Sequence, residues 1–150
     1  MGIGISPLHV RRSGLIQATP ERVWAEFDSF DRFAAWFGLG QRLEIYQPET
    51  GGEVLLSVEI DGVERPFGGP ILIFDAAREL TFSNNWKSEG WIVPTLITLR
   101  LTPLYECCHV ELFHHGFERL GRDAGVQLQG YEAGWTSRHL EALKAIVESG

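Results

Sequence analysis

From about residue 41 to residue 115 the chain alternates apolar and polar residues at period two, with short turn sequences between the runs. That pattern admits little besides an antiparallel sheet, because successive strand residues face opposite sides and tight turns reverse the chain. Val54, Leu56, Val58 and Ile60 alternate cleanly up to Asp61-Gly62, a dipeptide suited to the left-handed positions of a two-residue hairpin turn. Pro48 to Gly52 and Asp75 to Arg78 read as further turns. Gly68-Gly69 interrupts the run from Phe67 to Phe74, which suggests a bulge or sharp bend. Leu80, Phe82, Asn84 and Trp86 share one face of the next strand. Ile97, Leu99 and Leu101 share a face of the strand after it, and Val110, Leu112 and His114 a face of the last. His115 belongs to the opposite, outward face.

Helical signals flank this region. A first strand is read over roughly 8–17, and Thr19-Pro20 opens a helix with an N-cap residue followed by proline at the first helical position. Ser29 looks like a second N-cap, with Phe30, Phe33 and Phe37 following at helical spacing before Gly38 and Gly40. A long helix is read over about 124–148, with Leu128, Tyr131, Trp135, His139, Ala142, Leu143 and Ile146 on one stripe. Gly125, Gly130 and Gly134 each cost such a helix about 1 kcal/mol against alanine. Close packing against the sheet is the expected compensation. The expected fold is therefore α+β: a strand, two short helices, about six antiparallel strands, and a long C-terminal helix gripped by the curved sheet, in one domain over residues 1–150.

Composition narrows the functional classes. Thirteen Lys and Arg against twenty Asp and Glu give a net charge of −7, which argues against nucleic acid and anionic membrane surfaces as partners. No apolar run is long enough to span a bilayer. Cys107 and Cys108 are adjacent and poorly placed to pair with each other, so the chain is read as belonging to a reducing, cytoplasmic compartment. Met1 to Ser6 fits the loose N-myristoylation pattern, which is read as a chance match because no polybasic patch follows. Nucleophile elbows, phosphate-binding glycine loops and zinc-spaced ligand pairs are all missing from the sequence.

The segments Ala18 to Trp24, Ala35-Trp36-Phe37, Pro48 to Gly52, Phe74 to Leu80, His114 to Phe117, and Gly134-Trp135 with Leu140 and Leu143 together resemble the START-like, or SRPBCC, superfamily, and within it the branch related to activator of heat-shock protein 90 ATPase homologues. The six come in the family's order across nearly the whole chain. Two departures stand out: the aromatic pair is Trp36-Phe37 rather than two tryptophans, and the leucine after Gly134-Trp135 comes one residue late, placing His139 on the inner stripe. The resemblance implies a helix-grip fold enclosing an elongated cavity. The superfamily includes ligand carriers, polyketide cyclases, sequestering proteins and co-chaperone domains, so it implies no single activity.

The residues expected at such a cavity are Trp36, Asn84, Trp86, His114, Tyr131, Trp135 and His139. They combine aromatic walls with a few polar groups, as ligand sites do, and a cavity of about 300–1,000 Å³ would be typical. The expected function is binding of an apolar or aromatic small molecule between sheet and helix, as a carrier or sequestering module. One alternative is a cyclase or dehydratase in which His114 and His139 act as acid and base with Asn84 as orienter. Another is a co-chaperone-like protein-interaction domain, with a homodimer or protein partner left open. No cofactor is expected, and no metal, because a third inward-facing donor is wanting. Glu44, Glu59, Asp61, Glu64, Glu106 and Glu111 are read as solvated. Ligand identity, and whether any reaction is catalysed, are not legible.

Overall fold

The computed structural model describes residues 4–86, 91 and 93–149. The first three residues of the myristoylation-like hexapeptide lie outside them. The order is β1 (His9–Ile16), α1 (Pro20–Trp24), α2 (Phe30–Phe37), β2 (Arg42–Tyr46), β3 (Glu53–Ile60), β4 (Val63–Asp75), β5 (Glu79–Asn84), β6 (Thr95–Leu104), β7 (Cys107–His115), α3 (Ala124–Gly134) and α4 (Arg138–Ser149). Short 3₁₀ segments follow α1 and precede α3. The seven strands form one antiparallel sheet in the order β1-β7-β6-β5-β4-β3-β2. This is the curved sheet, with short helices after strand 1 and a helical C-terminus, that the alternation implied.

Local chemistry accounts for the element ends. Thr19 Oγ1 accepts from the Arg22 amide at 3.2 Å and Ser29 Oγ from the Arg32 amide at 3.3 Å, capping α1 and α2. Asp61 and Gly62 both take positive φ and close the β3–β4 hairpin between Ile60 and Val63. Gly68 has φ of 134°, and a Cβ there would lie 2.2 Å from the Val54 carbonyl oxygen, so no side chain fits where β4 crosses β3. The expected irregularity near Gly68-Gly69 is present as this tight crossing, and the register shift itself falls between Ile71 and Ile73.

The sheet register decides which side chains meet on the concave face. Phe82, Ile97, His114 and Val10 form one row across β5, β6, β7 and β1. Leu80, Leu99, Leu112 and Arg12 form the next, and Asn84 opposite Thr95 begins a third. The helix α4 packs on β1 and α2, burying Leu140, Leu143 and Val147. Phe27, Phe33, Trp36, Phe37 and Tyr46 form an aromatic cluster between α2 and the sheet.

The C-terminal helical region departs from the sequence reading in one respect: it is two helices with a break at residues 135–137. Gly134 ends α3, and Trp135 takes extended backbone angles. The Arg12 guanidinium, on the inner face of β1, donates to the Trp135 carbonyl at 2.7 and 3.0 Å and to the Glu132 carbonyl at 2.8 Å. A cation thus satisfies the carbonyls at the end of α3. Thr136 and Ser137 then start α4, with Thr136 Oγ1 accepting from the Arg138 amide. Nothing lies within 4 Å of a Cβ built on Gly125, Gly130 or Gly134, so close packing does not compensate these glycines. The helix α3 buries no residue completely and rests lightly on the sheet.

Candidate functional site

The inner ends of β5 and β7 and the broken C-terminal helix enclose a cavity of about 190 Å³. Six of the seven expected residues line it: Asn84, Trp86, His114, Tyr131, Trp135 and His139. The volume falls below the expected range of about 300–1,000 Å³. Trp36 is not among the lining residues. Its indole is fully buried in the aromatic cluster, where Nε1 donates to the Glu26 carbonyl at 3.0 Å. Its ring packs on Phe27 and Phe33, while Phe37 on the same helix reaches the cavity-lining Trp135 and His139.

His114 is tied on both ring nitrogens. The Trp135 indole donates to Nδ1 at 3.0 Å. Nε2 lies 2.7 Å from Thr95 Oγ1, and that hydroxyl donates to the Asn84 carbonyl at 3.2 Å. The chain of donors has one consistent direction: indole to Nδ1, Nε2–H to threonine, threonine to carbonyl. His114 is therefore held as the neutral Nε2–H tautomer, and its complete burial pushes its pKa down to about 3. His139 is tied on one nitrogen. Its Nε2 lies 3.1 Å from the Leu39 carbonyl, so it carries the proton, while Nδ1 is buried with no partner. Burial first, and then the adjacent Arg138 charge, lower its pKa to about 4.

Asn84 is 1% exposed, and among the described residues neither its amide oxygen nor its nitrogen has a hydrogen bond of good geometry. The Tyr131 hydroxyl lies close by without a well-formed bond to it and accepts from the Trp86 indole at 2.5 Å. Burial raises the Tyr131 pKa, against the opposing influence of Trp86 and Asn84. Trp86 stacks on Phe67 at 4.2 Å between centroids. Beyond the Trp86–Tyr131 bond lies a second, outer recess of about 310 Å³, lined by Ile60, Trp91, Gln127 and Gly130 together with Trp86 and Tyr131.

Gln41 and Arg138 also line the cavity and were missed by sequence reasoning. Both sit off the apolar stripes, and only the tertiary fold brings the loop after α2 against the start of α4. His115 corrects the reading in another way. It does lie on the outer face, yet it is 1% exposed, with Nε2 2.9 Å from Thr98 Oγ1 and Ser6 against Nδ1. Among the described residues no group of three or more His, Cys, Asp or Glu could hold a metal. The buried carboxylates Glu26 and Glu79 are paired with arginines away from this cavity. A larger groove of about 720 Å³, between the start of α1 and the β4–β5 and β6–β7 turns, is more open and walled by turn and charged residues.

Comparison with known proteins places the chain. Its residues 17–148 match the family described as Activator of Hsp90 ATPase homolog 1-like protein. Among curated proteins none matches the sequence. Protein CV1439 from Chromobacterium violaceum has a similar crystal structure, with a TM-score of 0.69, 21% identity, and coverage of 95% of this chain and 99% of that one. DynU16, from the dynemicin biosynthetic locus, superposes with a TM-score of 0.65 at 20% identity, over 97% of this chain and 49% of that one. The Aha1 dimer from Colwellia psychrerythraea gives 0.61 at 14% identity, over 93% and 96%. At these identities the likeness to solved structures is one of fold. With the family match spanning most of its length, the chain belongs to the Activator of Hsp90 ATPase homolog 1-like family.

Proposed function

We propose that the protein binds a small aromatic molecule in the cavity between β5, β7 and the C-terminal helices, as a carrier or sequestering module. The observation that carries this reading is the set of buried polar atoms without a partner among the described residues, the Asn84 side-chain amide and His139 Nδ1, on residues that wall one aromatic-lined cavity. Leaving a buried donor or acceptor unpaired costs about 1–3 kcal/mol each, and packed interiors hold few voids of this size. A ligand offering hydrogen bonds removes both penalties. A location in the cytoplasm suits the free thiols of Cys107 and Cys108.

The enzyme reading has less support. His114 offers no free nitrogen for proton transfer, so acid–base work would fall to His139 Nδ1 alone. The link of DynU16 to a biosynthetic locus keeps a cyclase- or dehydratase-like activity as the second reading. Equilibrium dialysis with a neutral aromatic probe, 2-naphthalenemethanol, tests the binding reading. Saturable one-to-one binding is expected. Trp86→Ala removes a cavity wall and the partner of Tyr131, and it should weaken binding by about tenfold or more. No saturable binding by the unaltered protein would overturn the reading.

A further inference from the structure

Arg138 is the one ionised side chain among the described residues that line the cavity. It is a cation in a chain of net charge −7. Among the described residues its guanidinium makes no ion pair, in contrast to Arg11, Arg12, Arg22 and Arg42, each of which has a glutamate. Arg32 likewise pairs with Glu26. The guanidinium of Arg138 also has a seat. Gly40, with φ of 81°, lies so close that a Cβ there would be 2.5 Å from Arg138 Nη2. Glycine at that position both permits the backbone angle and leaves room for the guanidinium against the loop. The neighbouring residue His139, 3% exposed, lines the same cavity and carries a buried Nδ1 without a partner among the described residues.

We infer that the ligand is an aromatic carboxylate, its ring among Phe67, Trp86 and Tyr131 and its anionic group on Arg138. This rests on the proposal that the cavity binds a small molecule and adds the charge and polarity of that molecule. Apolar and aromatic walls take the ring. The guanidinium, a planar fork of donors, matches a carboxylate in two-point geometry. A hydroxyl beside the carboxylate would donate to His139 Nδ1, so a hydroxyaryl acid satisfies both groups at that end. The volume of about 190 Å³ limits the ring system to one or two fused rings.

The test compares 2-naphthoate with its neutral counterpart 2-naphthalenemethanol by isothermal titration calorimetry at pH 7. The probes are used on the unaltered protein, on Arg138→Gln and on Arg138→Lys. Arg138 is exposed, and among the described residues its side chain makes no hydrogen bond or ion pair, so both variants are expected to fold. Naphthoate should bind about tenfold or more tighter than the alcohol. Arg138→Gln should erase that advantage and Arg138→Lys should keep part of it, each read as the ratio of the two probes' affinities on the same protein. Equal affinity for the two probes, or a naphthoate preference that survives Arg138→Gln, would overturn the carboxylate assignment while leaving the cavity as a binding site. Failure of both probes to bind would overturn the cavity reading and this one together.

Discussion

Trp135→Ala is expected to destabilise the protein by about 3–5 kcal/mol in denaturant titrations, the range for emptying a buried aromatic site. Trp135 is 8% exposed at the break between α3 and α4. Its ring meets His139 edge-on at 5.2 Å and tilts against Phe37 at 6.2 Å between centroids. Truncation loses that packing, enlarges an existing cavity, and strips His114 Nδ1 of its indole donor. Trp135→Phe separates these effects. It keeps most of the volume and leaves Nδ1 unpaired, so it should cost about 1–3 kcal/mol, the penalty of one buried acceptor. A loss below about 1 kcal/mol for the alanine variant would mean that the indole does not anchor the break.

Acidification should weaken the fold well above the carboxylate range. Burial is the leading cause that lowers the pKa of His114 to about 3 and of His115 and His139 to about 4. In the unfolded chain each would protonate near 6.5. Between about pH 6.5 and pH 4 the unfolded state therefore binds protons that the native state refuses. Stability is fully present above pH 6.5 and falls as pH drops through that window. For fully buried His114 alone the slope is about 1.4 kcal/mol per pH unit. The nearby Arg100, Arg119 and His9 push His115 the same way, and Glu118 opposes them. Denaturation midpoints should fall steadily from pH 7 to pH 4.5, with proton uptake on unfolding. Midpoints that stay level from pH 7 to pH 5 would mean that these imidazoles are charged in the native protein. His114→Gln should flatten part of the slope.

Much of the cavity was legible in the sequence because strand geometry is so regular. Once β5 and β7 are read as strands, Asn84, Trp86 and His114 must face the same side as Phe82 and Leu112. Tyr131, Trp135 and His139 followed from helical spacing, and the break at residues 135–137 did not move them off the inner face. The break itself went unread because Gly134 was counted as an expensive helix residue, when it is a helix end followed by the capping-type residues Thr136 and Ser137. Trp36 was misassigned because a helical stripe says which residues are buried together and not against what. Arg138 was invisible because its place depends on Gly40, nearly a hundred residues away in the chain. The burial of His115 arises from Ser6 and Thr98 closing over an outward side chain, which alternation alone cannot foresee.

The central claim, that this cavity is a binding site, is tested most directly by nitrogen-15 NMR of the tryptophan indoles during titration with 2-naphthalenemethanol. Trp86 and Trp135 line the cavity, while Trp24 and Trp36 do not and lie in the core with Phe27. The account predicts saturable shifts of the Trp86 and Trp135 indole resonances with one common dissociation constant, and Trp24 and Trp36 unmoved. Shifts led by Trp24 or Trp36, or no saturable shift in any indole, would contradict it.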